Sequence, residues 1–126
     1  MSHIRSTGTE AERIAFSYLR SNNIYFQRHY KNAPGKPDIA LPRKKKAVFI
    51  DSDFWHGRDY ERIASTRPKD DYWVKKMAGN IKRDQEVRQE LLNSGWQILV
   101  IWEKDIKRKR TRNDILANLL DFLKNE

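Results

Sequence analysis

One short stretch, residues 50–57 with the sequence IDSDFWHG, places two carboxylates, two large aromatic rings and an imidazole side by side. Two further acids, Asp38 after a Gly-Lys-Pro turn and Glu12 in a helical segment, come from separate parts of the chain. Converging carboxylates repel one another unless a cation or a proton lies between them. Mg²⁺ is held by one or two carboxylates together with waters and substrate phosphate. If Glu12, Asp38 and Asp51 meet, they are therefore suited to a metal-dependent phosphodiesterase.

Helical and strand patterns have to bring these acids together. The segment Thr9-Glu10-Ala11-Glu12 has the form of a capping box, and apolar residues then recur at helical spacing to about residue 21. At about 100° per residue, Glu12 lies near the edge of the apolar stripe while Glu10 points away from it. The spacing predicts that Glu12 faces inward and that Glu10 is solvated.

The rest of the chain alternates strand and helix signals. Apolar or β-prone runs at 24–30, 38–41 and 46–51 predict three strands, the last two a hairpin joined by the basic turn PRKKK. Residues 57–69 have no periodicity and predict a loop.

A long helix is then predicted from Asp70 to a glycine cap at Gly95. The run 96–103 is apolar enough to predict a strand covered on both faces, and a final helix is predicted from about residue 112. The order α-β-β-β-α-β-α in a chain of 126 residues predicts one α/β domain spanning residues 1–126.

The charge balance points to a polyanionic partner. Twenty-six Lys and Arg against seventeen Asp and Glu give a net charge of +9, and the excess is clustered at RKKK (43–46) and KDIKRKRTR (104–112). Such clusters favour nucleic acid through phosphate contacts, although a charge run also serves as a solvated face. The absence of cysteine excludes disulfides and Cys-bound zinc, and a reducing cytoplasm is the expected compartment. No apolar run reaches membrane-spanning length.

Four blocks in order, PGKPDIAL, AVFIDSDFWHG, YWVKKMAGNIKRD and GWQILVIWE, resemble those of the very short patch repair (Vsr) endonuclease family. The resemblance implies a restriction-endonuclease-like fold of the PD-(D/E)xK superfamily, a mixed central sheet of about four strands flanked by helices. It implies cleavage of one strand of double-stranded DNA with Mg²⁺, or Mn²⁺, as cofactor, in the best-known members at a T:G mismatch. A cytoplasmic, nucleoid-associated monomer is expected, with a dimer as the alternative.

The resemblance also assigns roles to individual residues. Asp38 matches the metal-binding aspartate, Glu12 the helix glutamate that acts on the water shell of the metal, and Ile50 the residue whose backbone carbonyl completes the metal site. His56 matches the histidine beside the scissile phosphate, where an imidazole can act as general base or orient the water. Asp51 takes the place of a second catalytic side chain and could either hold a second cation or orient His56.

DNA contacts are expected from aromatic and basic residues. Phe54, Trp55 and Trp73 match aromatics that the family wedges into the base stack, with core packing as the alternative; Trp96 and Trp102 are assigned to packing. The expected phosphate contacts are Lys44, Lys45, Lys46, Lys82, Arg83, Lys107, Arg108, Lys109 and Arg110.

The sequence departs from the family at the positions that commonly hold a structural zinc. Asp53 and Lys104 stand at two of them, and residues 57–69 contain neither Cys nor His, so no such zinc is expected. The loop would be held by packing of Tyr60 and Ile63, or order on DNA. Ser52 replaces a usual glycine, which predicts an altered backbone near the Ile50 carbonyl.

Three functions follow, in order of preference. The first is a Mg²⁺-dependent DNA endonuclease that nicks one strand at mismatched or distorted DNA in repair. The second is a restriction or mobile-element endonuclease that cuts a specific intact sequence. The third is a non-catalytic DNA-binding module that keeps the basic surface and the aromatic wedge.

Overall fold

The computed structural model describes residues 9–53 and 56–125. The elements in chain order are α1 (Glu10–Ser21), β1 (Gln27–Arg28), β2 (Ile39–Leu41), β3 (Lys46–Asp51), α2 (Tyr60–Ser65), α3 (Tyr72–Asn93), β4 (Gln97–Trp102), α4 (Glu103–Lys107) and α5 (Lys109–Lys124). In these ranges no helix is both long and apolar enough to cross a membrane.

The four strands form one mixed sheet in the order β1-β2-β3-β4. The hairpin of β2 and β3 is antiparallel and pairs Ile39 with Val48, whereas β3 and β4 are parallel and pair Ile50 with Ile101. The parallel connection runs through α3, as a parallel crossover requires. This is the α/β architecture with a four-stranded mixed sheet that the sequence predicted.

Helices cover both faces of the sheet, and β3 is therefore buried along its whole length. On one face α1, α4 and α5 pack through a cluster that includes Leu19, Ile106 and Leu119. On the other face Phe49 and Leu91 form a smaller cluster with α3. The fully buried strand ends with Ile50 and Asp51, and these are the first two residues of the chemical motif.

The predicted first and long helices are confirmed together with their caps. The Thr9 hydroxyl accepts from the Glu12 N–H at 3.1 Å, and Glu12 is buried while Glu10 is exposed. The Asp71 carboxylate accepts from the N–H groups of the first turn of α3. After Asn93 the chain turns through Gly95, whose φ of +88° is the left-handed conformation expected at a helix end.

Two short helices were not predicted. The segment 57–69, predicted as a loop, contains α2, and the basic run before residue 112 contains α4 and the start of α5. The described residues of α2 include no buried one, and α4 buries only Ile106. Helices held by so little apolar surface leave no periodic pattern in the sequence.

Two strand predictions were wrong, one in the length of the strand and one in its burial. The strand predicted over 24–30 is confined to Gln27–Arg28, because His29 has a positive φ of 46° and leaves the extended conformation. β4 was predicted to be covered on both faces, but it lies at the sheet edge and buries only Ile101 fully.

The basic turn between β2 and β3 supports helix ends. The Lys44 Nζ donates to the Leu123 carbonyl at 3.1 Å, and the Lys45 Nζ donates to the Ser94 carbonyl at 3.1 Å. Lys46 is only 1% exposed, and its Nζ bonds the carbonyls of Phe122 and Asn125 at the end of α5. Cations at helix C-termini satisfy free carbonyls and the helix dipole. The prediction that Lys46 contacts DNA phosphate is therefore wrong, because its ammonium is buried inside the protein.

The buried position of Lys46 predicts that its replacement lowers the stability of the protein and leaves DNA binding unchanged. Replacing Lys46 with methionine removes the buried ammonium that donates to the carbonyls of Phe122 and Asn125, so we expect a loss of about 1–3 kcal/mol in the free energy of unfolding, measured in urea. The matched change Lys44→Met, on an exposed side chain, is expected to cost much less. A larger cost at Lys44 than at Lys46 would contradict the assignment.

Candidate active site

A buried and a partly buried carboxyl group from different elements meet at the start of the hairpin. Asp38 precedes β2, and its Oδ2 accepts from the Ile50 N–H at 2.7 Å. Its carboxyl also hydrogen-bonds with that of Glu12, which α1 directs inward with 3% exposure. The register of β2 with β3 ends at the Ile39–Val48 pair, so Ile50 lies beyond it. Because N–H and C=O of one strand residue face the same side, the Ile50 carbonyl is expected to face Asp38.

A turn that packs tightly on α3 fixes the position of Asp38. Gly35 has a φ of +77°, and a Cβ there would lie 2.4 Å from the Val87 Cγ1. Only glycine accepts both the conformation and the approach. The turn between β1 and β2 is thereby held against α3, and Pro37 leads directly into the acid.

A third ligand-type residue, His29, joins this pair. Its Nε2 lies 3.1 Å from Glu12 Oε2 and 3.9 Å from Asp38 Oδ1. The ring stands edge-on to Phe16, with centroids 5.9 Å apart. The donor atoms of Glu12, His29 and Asp38 all lie within 4.8 Å of one another. We call these three residues the first cluster.

The electrostatics of the first cluster favour a bound cation. Burial raises the pKa of Asp38 to about 8, and the hydrogen bond and charge of Glu12 add to this, although the Ile50 N–H opposes it. Asp38 therefore keeps a proton near neutral pH. A divalent cation bound to both carboxyl groups would replace that proton. The two carboxyl groups thus suit a divalent cation such as the expected Mg²⁺ or Mn²⁺.

A second cluster lies at the end of β3. Asp51 is 3% exposed, and both of its oxygens accept from the Arg88 Nη2, at 2.9 and 2.8 Å. His56 Nδ1 hydrogen-bonds with Asp84 Oδ2 and lies 3.8 Å from Asp51 Oδ2. Arg88 also lies over the Phe49 ring, 4.5 Å from its centroid. Asp51, His56, Asp84 and Arg88 form the second cluster.

The second cluster shifts two pKa values. Burial raises the pKa of Asp51, against the opposing charge of Arg88. Burial alone would lower the pKa of His56, but the hydrogen bond with Asp84 and the charges of Asp51 and Asp84 raise it above its usual value. With Nδ1 bonded to Asp84, Nε2 is the ring atom left to exchange a proton.

Family membership follows from comparison with known proteins. Residues 1–62 match the model of the family described as DNA mismatch endonuclease Vsr. The Type II nicking enzyme V.HpaIIP of Haemophilus parainfluenzae is 33% identical over 81% of this chain and 73% of its own. The Type II nicking enzyme V.XorIIP of Xanthomonas oryzae pv. oryzae is 32% identical over 96% of this chain and 89% of its own. The chain belongs to the Vsr family.

The similarity extends to a mismatch endonuclease. The DNA mismatch endonuclease Vsr of Escherichia coli is 24% identical over 96% of this chain and 78% of its own. The four-stranded mixed sheet flanked by helices is consistent with the restriction-endonuclease-like fold of the Vsr family.

Sequence reasoning placed Glu12, Asp38 and Asp51 at one point, and the structure divides them. Glu12 and Asp38 are in the first cluster and Asp51 is in the second, each with a histidine. Burial is the main cause that raises the pKa of Glu103. The charge of Glu12 raises this pKa further, and the charge of His56 lowers it. Glu103 is thus a further acid near both clusters.

Three residues of the clusters were missed. His29 lies in a run interpreted only as a strand, and Arg88 was read only as part of the periodicity of the long helix. Asp84 is the last residue of YWVKKMAGNIKRD, one of the four blocks that resemble the Vsr family. Of the three missed residues, it is therefore the one to which the resemblance could have pointed. Partners of His29 and Arg88 stand 17 and 37 positions away in the chain, so no local pattern signals them.

The expected DNA-contacting residues fall into three groups. Trp73 is 43% exposed at the start of α3, edge-on to Tyr72 with centroids 4.9 Å apart. The exposed cations are Lys82, Arg83, Lys107, Arg108, Lys109 and Arg110, together with Lys44 and Lys45 in the hairpin turn. Phe54 and Trp55 lie outside the described residues. With Lys46 excluded, the other DNA contacts stay predictions.

Ion pairs connect the positions where the Vsr family commonly holds zinc. The Asp53 carboxylate accepts from Arg58 Nη1 and from the Lys104 N–H, both at 3.0 Å, and Arg58 also makes two bonds of 3.0 Å to Asp105. The Arg58 guanidinium lies 5.4 Å from the Trp102 ring centroid. We call this the Arg58 clasp. It joins the segment after β3 to α4, a connection that was not predicted.

The backbone around His56 is fixed by a close contact at Gly57 and a hydrogen bond at Ser52. Gly57 has a φ of +67°, and a Cβ there would lie 2.4 Å from Ile81 Cδ1, so the residue after His56 packs against α3. Ser52 is not among the described residues with a positive φ, and its carbonyl accepts from the His56 N–H at 3.1 Å. Serine at this position therefore requires no left-handed backbone.

The Arg58 clasp predicts a local effect on order. Replacing Arg58 with glutamine removes the charge that joins Asp53 to Asp105, so the segment 57–69 should open more often. We expect trypsin to cleave after Arg62 or Lys69 several-fold faster under native conditions, with the fragments identified by mass spectrometry. The change Lys75→Gln, on an exposed cation of α3, is the control. Equal cleavage rates in the two variants would show that the clasp does not hold this segment.

Proposed function

We propose that the chain is a divalent-metal-dependent DNA endonuclease that nicks one strand of double-stranded DNA. The proposal rests mainly on one observation: the buried Glu12 meets the partly buried Asp38, whose pKa is raised, and the charge of Asp51 in the second cluster also acts on Asp38. Placing two acids so close together is costly without a ligand. Membership of the Vsr family, and relatives named as nicking enzymes and as a DNA mismatch endonuclease, support DNA as the substrate.

Each residue has a place in this reaction. Asp38 and the Ile50 carbonyl would hold the ion directly, and Glu12 through water or directly. A bound Mg²⁺ supplies Lewis-acid stabilisation of the charge that develops on the phosphate. His56 takes a proton from the attacking water at Nε2, while Asp84 fixes the ring through Nδ1. Trp73, Phe54 and Trp55 would insert between stacked bases. Unstacking costs the least free energy where base pairing is already poor.

Asp51 orients the imidazole in this proposal and holds no second cation. Both of its oxygens are bonded to Arg88, and its Oδ2 lies 3.8 Å from His56 Nδ1. A carboxylate whose charge is already balanced by a guanidinium offers little to a metal. Of the two roles left open by the sequence, we therefore propose orientation of His56.

Substrate choice is a separate part of the proposal. A distorted or mismatched duplex, T:G among them, suits the aromatic residues, whereas the relatives named Type II nicking enzymes leave cutting of intact sequence as the second candidate. One nick requires one site, so we propose that residues 1–126 act as a single domain and as a monomer. A role on chromosomal DNA would place the protein in the cytoplasm beside the nucleoid.

The test uses matched duplexes and metal control. Labelled duplexes that differ only by T:G against T:A are incubated with the protein in Mg²⁺, in Mn²⁺ and in EDTA, and each strand is followed on a denaturing gel. We expect metal-dependent cleavage of one strand, faster on T:G. Equal cleavage of both duplexes would favour the intact-sequence enzyme, and binding without any cleavage would reject the endonuclease.

A further inference from the structure

We propose that the His29 imidazole is a direct ligand of the cation held by Asp38, and that this nitrogen makes the site bind Mn²⁺ in preference to Mg²⁺. The inference rests on the proposed metal site but concerns a residue to which neither the resemblance nor the second cluster assigns a role. The inference therefore concerns which divalent cation the first cluster prefers.

The distances of the first cluster fit a shared ion. His29 Nε2 is 3.1 Å from Glu12 Oε2 and 3.9 Å from Asp38 Oδ1. Two ligands about 2.1 Å from one ion lie about 3 Å apart when adjacent and about 4.2 Å apart when opposite. Both distances fall in that interval. The three donor atoms can therefore surround one ion without large movement.

The backbone at His29 is arranged to present the ring. Its φ of 46° is unusual for a residue with a side chain, and it ends β1 directly after Arg28. His29 N–H donates to the Asp38 carbonyl at 3.1 Å, so the strained residue is tied to the acid it faces. Such conformations cost free energy and persist where the surrounding structure enforces them. Here the ring is directed into the first cluster instead of following the strand.

A nitrogen donor changes which cation the site prefers. Mg²⁺ favours oxygen ligands in a strict octahedron. Mn²⁺ also accepts oxygen ligands, but as a first-row transition-metal ion it binds an imidazole nitrogen more readily than Mg²⁺ does. Two carboxylates and a backbone carbonyl alone would accept either ion. Adding His29 should leave Mg²⁺ binding nearly unchanged and strengthen Mn²⁺ binding.

The test compares two histidine variants by metal binding without DNA. His29→Asn removes the imidazole but keeps a residue that tolerates positive φ, and His56→Asn makes the same change in the second cluster. Mn²⁺ binding is measured from the electron paramagnetic resonance signal of the free ion, and Mg²⁺ binding by calorimetry. We expect His29→Asn to weaken Mn²⁺ at least about tenfold and Mg²⁺ less than about threefold. His56→Asn should change neither affinity.

A second measurement separates a ligand from a positioning residue. With ¹¹³Cd²⁺ as probe in ¹⁵N-labelled protein, a bound imidazole shows scalar coupling between the metal and its nitrogen. We expect that coupling at His29 Nε2. If His29 only orients Glu12 by a hydrogen bond, the coupling is absent and His29→Asn weakens Mg²⁺ and Mn²⁺ equally, which would overturn the inference.

Failure of this inference and failure of the proposed function have different signatures. Selective Mn²⁺ binding through His29 without DNA cleavage would reject the endonuclease and keep the ligand. Metal-dependent cleavage with equal loss of both ions in His29→Asn would keep the endonuclease and reject the ligand. Loss of Mn²⁺ only in His56→Asn would place the cation in the second cluster.

Discussion

Replacing Asp38 with asparagine is expected to lower DNA cleavage on the order of a thousandfold, which corresponds to about 4 kcal/mol of lost transition-state stabilisation. The amide removes the negative charge that holds the cation, but its oxygen can still accept from the Ile50 N–H. The fold is therefore expected to survive, and DNA binding in EDTA should stay within about twofold, since a single charge outside the phosphate contacts contributes little. Single-turnover nicking of a labelled duplex measures the first effect, and a salt-controlled binding titration measures the second.

The control for this variant is Asp114→Asn, the same change on an exposed position of α5. With the cation bound it alters the net charge equally, and it lies outside both clusters, so cleavage should be unchanged. Persistent cleavage by pure Asp38→Asn protein would contradict the metal site. Loss of cleavage in both variants would show that net charge, and not the cluster, is responsible.

The same variant has a pH-dependent effect on stability. Because the pKa of Asp38 is raised to about 8, the folded protein keeps a proton that the unfolded chain releases near pH 4, so metal-free stability should fall as pH rises between these values. Asp38→Asn removes this proton linkage and should flatten the decline. Mg²⁺ should oppose the decline only in the unsubstituted protein. Urea unfolding from pH 5 to pH 8, with and without Mg²⁺, measures both effects.

Replacing His56 with alanine is expected to lower cleavage by about 10²–10⁴-fold, the usual contribution of a general base. The rate of the unsubstituted protein should rise with pH through the raised pKa of His56, because only the neutral imidazole accepts a proton. His56→Ala should lose this rise. The measurement is the single-turnover nicking rate from pH 5.5 to pH 9 at saturating metal.

Asp84→Asn provides the comparison for His56. It removes the negative charge of Asp84, which raises the pKa of His56, and leaves at most a neutral hydrogen bond, so the rise in rate should move to lower pH, with a smaller loss of rate at pH 8 than in His56→Ala. A profile identical to that of the unsubstituted protein would show that Asp84 does not act through His56. A full retention of rate in His56→Ala would reject the general base.

Individual elements show where sequence reasoning succeeded. The capping box at Thr9 correctly oriented Glu12 inward, because the cap and the apolar stripe are both local and fix the rotation of α1. The antiparallel hairpin and the glycine end of α3 followed for the same reason. The positions of α2 and α4 were missed because their stability comes from neighbours such as α3 and α5 rather than from their own pattern.

Basic residues show the opposite case. Lys44, Lys45 and Lys46 are identical in type and adjacent, yet one is buried and two are exposed. Lys46 begins the buried strand β3, whereas Lys44 and Lys45 lie in the turn before it, and carbonyls near the C-termini of α3 and α5 accept from the three ammonium groups. A count of charges therefore indicates a polyanion partner but does not identify the contacting side chains.

The sequence by itself determined the α/β order, the inward Glu12, the acid after Pro37 and the resemblance to the Vsr family, since each depends on neighbours within a few positions or on ordered blocks. Only the tertiary structure decided that the acids divide into two clusters, that His29 and Asp84 complete them, and that Arg88 balances Asp51. These partners come from distant elements, and their distances of about 3 Å depend on how α1, α3 and the sheet pack together, which no local pattern encodes.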